Sequence, residues 1–175
     1  MSEQPPRRLV VLRHAKSARP EDVPDRDRPL APRGRRDADR AGDWLRALDL
    51  LPDLVLCSPT RRTRETWELV ATRWATTPAV EYDERLYGTQ SEEITAVLRE
   101  APPDIRTLLL VGHQPAVQEL VLDLAAEAVG DRLAKLREKF PTCAAAVLEL
   151  HVPWGRLAPG SALLRDFVVP RDAED

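Results

Sequence analysis

Cysteine is scarce in this chain of 175 residues: Cys57 and Cys143 are far apart and in no C-x-x-C pair. That pattern speaks against a disulfide framework and against a cysteine-based zinc site. Cys57 ends an apolar run and reads as a buried, inert thiol. Two free cysteines suit a reducing cytoplasm. Long apolar runs are missing as well. No stretch approaches the roughly 20 residues of a membrane-spanning helix. The polar start Met1–Arg8 leads into an apolar segment too short for the core of an export signal. Nor does one sign of charge dominate, with 26 Lys and Arg against 29 Asp and Glu, a net charge of −3 and both signs interspersed. A nucleic-acid partner or a membrane surface would call for a basic footprint, and none is present. Internal repeats are absent and the proline-rich stretches are too short to be linkers. One cytoplasmic domain spanning 1–175, with its core in about 7–170, is the expectation.

What is present alternates between strand and helix signals. Leu9–Leu12 and Asp53–Cys57 are short, apolar and β-rich, as is Thr107–Val111, and all three read as buried strands. Between them, Pro20–Pro32 mixes proline with alternating charge and reads as a loop. Ala38, Ala41, Trp44, Leu45 and Leu48 recur at helical spacing over about Arg33–Leu50. Ser58-Pro59 has the form of an N-cap followed by proline at the first helical position. Val80–Leu86 suggests a short strand. Thr89–Glu92 offers a capping box before Ile94, Val97 and Leu98, a helix that Pro102-Pro103 breaks. A helix from Pro115 puts Val117, Leu120, Val121, Leu124, Ala125 and Ala128 on one face. Asp131–Phe140 reads as a polar helix, Ala144–Leu150 and Ala162–Val168 as late strands, and Arg171–Asp175 as a frayed tail. Such alternation predicts an α/β fold with a mainly parallel central sheet covered on both faces.

The chain has three histidines. Two of them, His14 and His113, directly follow apolar strands, in Leu-Val-Val-Leu-Arg-His and Leu-Leu-Leu-Val-Gly-His. The strand ending at Cys57 is followed by Ser-Pro-Thr-Arg-Arg. Ligands of open α/β sheets sit beyond the carboxyl ends of the strands. Three strands therefore deliver Arg13, His14, Arg61 or Arg62, and His113 to one sheet edge. A set of histidines and arginines without an obligatory carboxylate is stable only when an anion joins it, and the arginine fork matches phosphate. Helices opening near Pro59 and Pro115 would add positive dipole ends. A metal ion would find too few ligands there and cationic neighbours, so neither a metal nor another cofactor is expected.

Arg13-His14, Ser58-Pro59-x-x-Arg62-x-x-x-Thr66 and Gly112-His113-x-Pro115 together resemble the signature of the histidine phosphatase superfamily. The likeness runs from about Leu9 to Leu150. It implies the phosphoglycerate-mutase-like fold, a three-layer αβα sandwich. Arg-His-Ala-Lys-Ser, Arg28-Pro29-Leu30 and Arg33-Gly34, with the short length, look most like the SixA-type phosphohistidine phosphatase branch.

By that resemblance His14 is the nucleophile, forming a phosphohistidine intermediate. Arg13, Arg62 and His113 would hold the phosphoryl oxygens. The motif picks Arg62 over Arg61, leaving Arg61 and Arg64 as charges on a helix face. Ser17 and Arg85 would be further substrate contacts. Glu84-Arg85-Leu86-Tyr87-Gly88 is similar to the segment that carries the general acid in the mutase branch. A departing alkoxide would need Glu84, whereas an imidazole is a weaker base and could leave with less help. The chain departs from the family pattern at Ala15 and Lys16, where glycine and an acidic residue are usual, and at Arg19, in the neighbourhood of a phosphate-binding asparagine. The resemblance thus implies a metal-independent phosphatase of phosphohistidine proteins or exposed phosphoesters. Its partner is a phosphorylated protein or a small phosphorylated molecule. A small-metabolite phosphomonoesterase acting on sugar or nucleotide phosphates is the alternative enzyme, and a catalytically idle phosphate-binding module the alternative of another class.

Overall fold

The computed structural model describes residues 4–170. The expected frayed tail, Arg171–Asp175, lies outside the described residues. Seven strands and five helices follow in the order β1 (Arg7–Arg13), α1 (Pro32–Ala47), β2 (Leu54–Cys57), α2 (Arg61–Ala71), β3 (Ala79–Tyr82), α3 (Ser91–Leu98), β4 (Thr107–Gly112), α4 (Ala116–Leu124), β5 (Ala125–Ala128), α5 (Arg132–Glu138), β6 (Ala145–Leu150) and β7 (Ala162–Val168). They form one mixed sheet of order β3-β2-β4-β1-β6-β7-β5. The β1/β4, β2/β4, β2/β3 and β5/β7 pairs are parallel, and β6 runs antiparallel to both of its neighbours.

Alternation along each strand sets the layers. Leu9, Val11, Leu54, Leu56, Leu108 and Leu110 face one side, where Ile94, Val97 and Leu98 of α3 and Val117, Leu120 and Val121 of α4 cover them. Val10, Leu12, Val55, Cys57, Leu109 and Val111 face the other, under Ala38, Ala41 and Leu45 of α1 and Trp67 and Val70 of α2. Each Val, Leu or Ile among them, fully buried, contributes about 1.5–3 kcal/mol relative to exposure. The result is the three-layer sandwich with a mainly parallel centre. Of the tryptophans, Trp67 and Trp154 are buried, the latter with its indole N–H on the Ile105 carbonyl at 2.8 Å. Among the described residues no helix is long and apolar enough to cross a membrane.

The structure corrects four local expectations. Helix α2 starts at Arg61 with Thr60 as its N-cap, not at Ser58-Pro59, because the Ser58 hydroxyl bonds His113. The N-cap of α3 is Gln90 and makes no side-chain cap, while the Thr89 hydroxyl bonds the Glu93 carboxylate. Val80–Leu86 is strand only to Tyr82, since Glu84–Leu86 is a turn of 3₁₀ helix capped by Asp83. The α4 helix ends at Leu124, and Ala125–Ala128 extends as β5 along β7.

Candidate active site

β1, β2 and β4 lie side by side and parallel, so their carboxyl ends bring three loops to one edge of the sheet. His14 follows β1 and its backbone is held from two sides. Its N–H donates to the Gly112 carbonyl at 3.0 Å, and its carbonyl accepts from the Cys143 N–H at 3.1 Å. The next peptide is tied to α2: the Ala15 N–H donates to Thr66 Oγ1 at 3.0 Å, and that hydroxyl donates to the Arg62 carbonyl at 2.7 Å. The last residue of the Ser-Pro motif thus works as a spacer between the loop that carries His14 and the helix that carries Arg62.

The His14 ring is buried, with Nδ1 2.8 Å from the carbonyl oxygen of Ala15. A carbonyl can only accept, so Nδ1 carries the proton and Nε2 keeps its lone pair. Burial is the main reason its pKa falls to about 3; the bond to Ala15 opposes that shift, and the charges of His113, Arg62 and Arg13 add to it. The imidazole is therefore neutral at any pH near 7. His113 stands with its ring centroid 5.3 Å from that of His14 and its Nε2 2.8 Å from Ser58 Oγ. Burial first, then the nearby Arg62, lowers its pKa to about 4.

A cavity of about 410 Å³ opens on these groups, and its wall includes Arg13, His14, Ser17, Arg62 and His113. The Nε of Arg62 and the Nδ1 of His113 are buried there without a hydrogen-bond partner among the described residues. Orphaned buried polar atoms cost about 1–3 kcal/mol each, and the Nε–H of Arg62, always a donor, marks a place that wants an acceptor. Arg13 sends Nη1 to the Phe140 carbonyl at 2.9 Å. Ser17 turns its hydroxyl to Arg28 Nη2 at 2.5 Å.

Two expected residues are placed elsewhere. The Glu84 carboxylate is 69% exposed and takes both Nη groups of Arg26, at 3.0 and 2.7 Å, outside the cavity wall. Arg85 is held by Asp83 and Glu100 and does not line the cavity either. The residue from their segment that does reach the wall is Tyr87, its ring 5.7 Å from that of His113. Its hydroxyl donates to Asp25 Oδ2 at 2.6 Å. Asp25 lies in the expected loop and carries the Arg62 guanidinium. Sequence reading had no signal for Asp25 in an alternating-charge stretch. Tyr87 was visible as one of only two tyrosines in the chain.

Comparison with known proteins agrees with this geometry. The family model of the histidine phosphatase superfamily, branch 1, matches residues 9–108. The uncharacterized protein Rv1276c of Mycobacterium tuberculosis is 43% identical over 165 residues, which cover 91% of this chain and all of that protein. A solved structure of a candidate phosphohistidine phosphatase SixA from Nakamurella multipartitia superposes with a TM-score of 0.83 at 33% identity, covering 94% of this chain and 98% of that one. Its Agrobacterium tumefaciens counterpart gives a TM-score of 0.77 at 28% identity over 93% and 97% of the two chains. The chain belongs to branch 1 of the histidine phosphatase superfamily, among its SixA-like members.

Proposed function

We propose that the chain is a metal-independent phosphatase that works through a phosphohistidine on His14 and that its preferred substrates are phosphohistidine proteins. The observation that carries this reading is the make-up of the cavity wall. Among the described residues it holds two histidines, four arginines and a lysine, and neither Asp nor Glu. A cationic wall stabilises a phosphoryl group in flight, but offers no carboxylic acid to protonate a departing alkoxide. Imidazole leaves without that help more readily than an alkoxide does.

In the proposed reaction the lone pair on His14 Nε2 attacks phosphorus in line. The bond from phosphorus to the substrate's imidazole nitrogen breaks, and that nitrogen takes a proton from solvent. Arg13 and Arg62 donate to the equatorial oxygens, as charge spreads over them in a loose transition state. With Ser58 Oγ donating to its Nε2, His113 carries its proton on Nδ1 and becomes a third donor. Water then attacks the phosphohistidine, releasing phosphate and restoring neutral His14. The Nδ1–H bond to Ala15 keeps the ring oriented through both steps. Among the described residues no three His, Cys, Asp or Glu side chains gather as a metal-ligand set.

Hydrolysis of para-nitrophenyl phosphate, whose leaving group needs little protonation, tests the mechanism. Activity is expected to persist in excess EDTA and to vanish in His14→Ala; loss to EDTA, or survival of the variant, overturns it. Turnover of a phosphohistidine protein against a panel of sugar and nucleotide phosphates tests the substrate class, with the protein expected to exceed every metabolite.

A further inference from the structure

Resting on the phosphatase reading, we propose that Lys16 and Arg19 form a second anion subsite beside the phosphoryl pocket, so that good substrates carry another negative group close to the scissile phosphorus. Both residues line the cavity. They are also two of the three positions, with Ala15, at which the chain departs from the family pattern, so the family signature does not explain them.

Three observations support a built subsite. First, neither Lys16 nor Arg19 makes an ion pair among the described residues. Most other arginines near the site are engaged: Arg26 with Glu84, Arg28 with Asp25 and Arg62 with Asp25. Lys16 and Arg19 thus bring to the cavity wall two cations without an acidic partner among the described residues. Glu21 and Asp22 follow closely in sequence, yet neither lines the cavity.

Second, the backbone that carries these two residues is fixed. The Lys16 carbonyl accepts from the Ala31 N–H at 2.9 Å, Ser17 pairs with Leu30 as an antiparallel bridge, and the Ala18 N–H donates to the Pro29 carbonyl at 2.8 Å. Arg28 locks the same segment through Ser17 Oγ and the Ala18 carbonyl. Third, a cavity of about 410 Å³ is several times the size of one phosphoryl group, so the wall beyond Arg13, Arg62 and His113 faces the rest of the substrate. The charged side chains on that part of the wall are Lys16, Arg19 and Arg28, all of them long cations that suit a carboxylate or a second phosphate.

The anion could belong to a small molecule or to an acidic residue flanking a phosphorylated side chain, and two matched pairs of substrates distinguish these. One pair is 3-carboxy-4-nitrophenyl phosphate and its 3-carboxamide, which share shape and differ in charge. The other is a phosphohistidine peptide flanked by Asp and Glu and its counterpart with Asn and Gln. Two exposed contacts predict a preference of about tenfold in kcat/KM for the anionic member. It should shrink with added salt and fall below about threefold in Lys16→Ala/Arg19→Ala, each ratio being taken within one protein. Preference in the first pair alone assigns the subsite to small substrates, and in the second alone to a protein flank. A ratio near one in both pairs for the native enzyme, or a ratio the double variant leaves intact, overturns the subsite. Hydrolysis surviving in His14→Ala would instead overturn the phosphatase reading beneath it.

Discussion

Arg62 grips Asp25 with the end of its guanidinium, Nη1 donating to the Asp25 carbonyl at 2.7 Å and Nη2 to Oδ2 at 3.0 Å. The Arg62 side chain is only 7% exposed, so this grip sets its direction. With the end face taken, the Nε is left buried and without a partner among the described residues, and in the proposed function it is this side that serves the phosphoryl oxygens. Asp25 is itself fixed by Tyr87 and Arg28, and these bonds hold its carboxyl far below the usual carboxylate range, so it is no proton donor. Asp25→Ala should therefore misdirect Arg62 and lower kcat/KM by about 10- to 100-fold, the scale of a 1 Å displacement. Asp25→Asn, which keeps an acceptor, should recover part of the loss. Steady-state kinetics on an aryl phosphate decide the point. A rise in kcat/KM would mean that Asp25 competes with phosphate for the arginine.

The lowered pKa values of His14 and His113 bear on stability as well as on catalysis. Unfolded, both imidazoles titrate near 6.5; folded, they do so at about 3 and about 4. The unfolded chain therefore binds more protons as the pH falls below about 6.5. Their contribution is whole above that pH and is lost as the pH drops toward the folded values. Between pH 6 and 5 the slope should approach about 1.4 kcal/mol per pH unit for each histidine. Urea midpoints across that window should fall steeply, and less so in His14→Asn/His113→Asn. The His14 ring should also keep its Nδ1-protonated, neutral tautomer in NMR spectra from pH 8 to 5. A titration near 6.5 would show the ring to be solvated.

Glu84, the proton donor that a departing alkoxide would call for, forms an exposed ion pair with Arg26 in this structure. The hydrogen bond from Arg26 draws its pKa down, which keeps the carboxylate ionised and leaves it no proton to give. Glu84→Gln should change kcat for para-nitrophenyl phosphate and for a phosphohistidine protein by less than about twofold, since exposed pairs contribute little. A 100-fold loss confined to substrates with poor leaving groups would return Glu84 to the mechanism through movement of its segment.

Much of this site was legible because strand ends announce themselves. Leu-Val-Val-Leu-Arg-His and Leu-Leu-Leu-Val-Gly-His place a histidine directly after a buried apolar run, and sheet topology then brings His14 and His113 together. The sheet's far edge was less legible. Ala125–Ala128 continues the helical spacing of α4 and has no β-branched residue, and only pairing with β7 makes it a strand. Asp25 was hidden for a different reason. One acidic residue in a loop of alternating charge looks solvated, and its role comes from Arg62, 37 residues away in sequence. Ser58 looked like a helix cap, until tertiary contact gave its hydroxyl to His113.

Gly34 was noticed within Arg33-Gly34 as part of a resemblance, and the structure supplies its physical reason. A Cβ built on Gly34 would lie 2.0 Å from the Lys16 carbonyl oxygen and 2.9 Å from its carbonyl carbon and its nitrogen. These are backbone atoms, pinned by Ala31, so no side chain can turn aside to make room. Gly34→Ala must push the first turn of α1 away from the segment that follows His14. Overpacking of this kind destabilises by about 1–3 kcal/mol. Because Lys16 lies two residues beyond His14, activity measured well below the melting temperature should fall too. Gly155 is the control: its added Cβ would meet only the Arg99 carbonyl oxygen, at 3.9 Å, an ordinary contact. Gly155→Ala should keep both melting temperature and kcat/KM near those of the native protein. If Gly34→Ala did the same, α1 would not be what fixes the loop that follows His14.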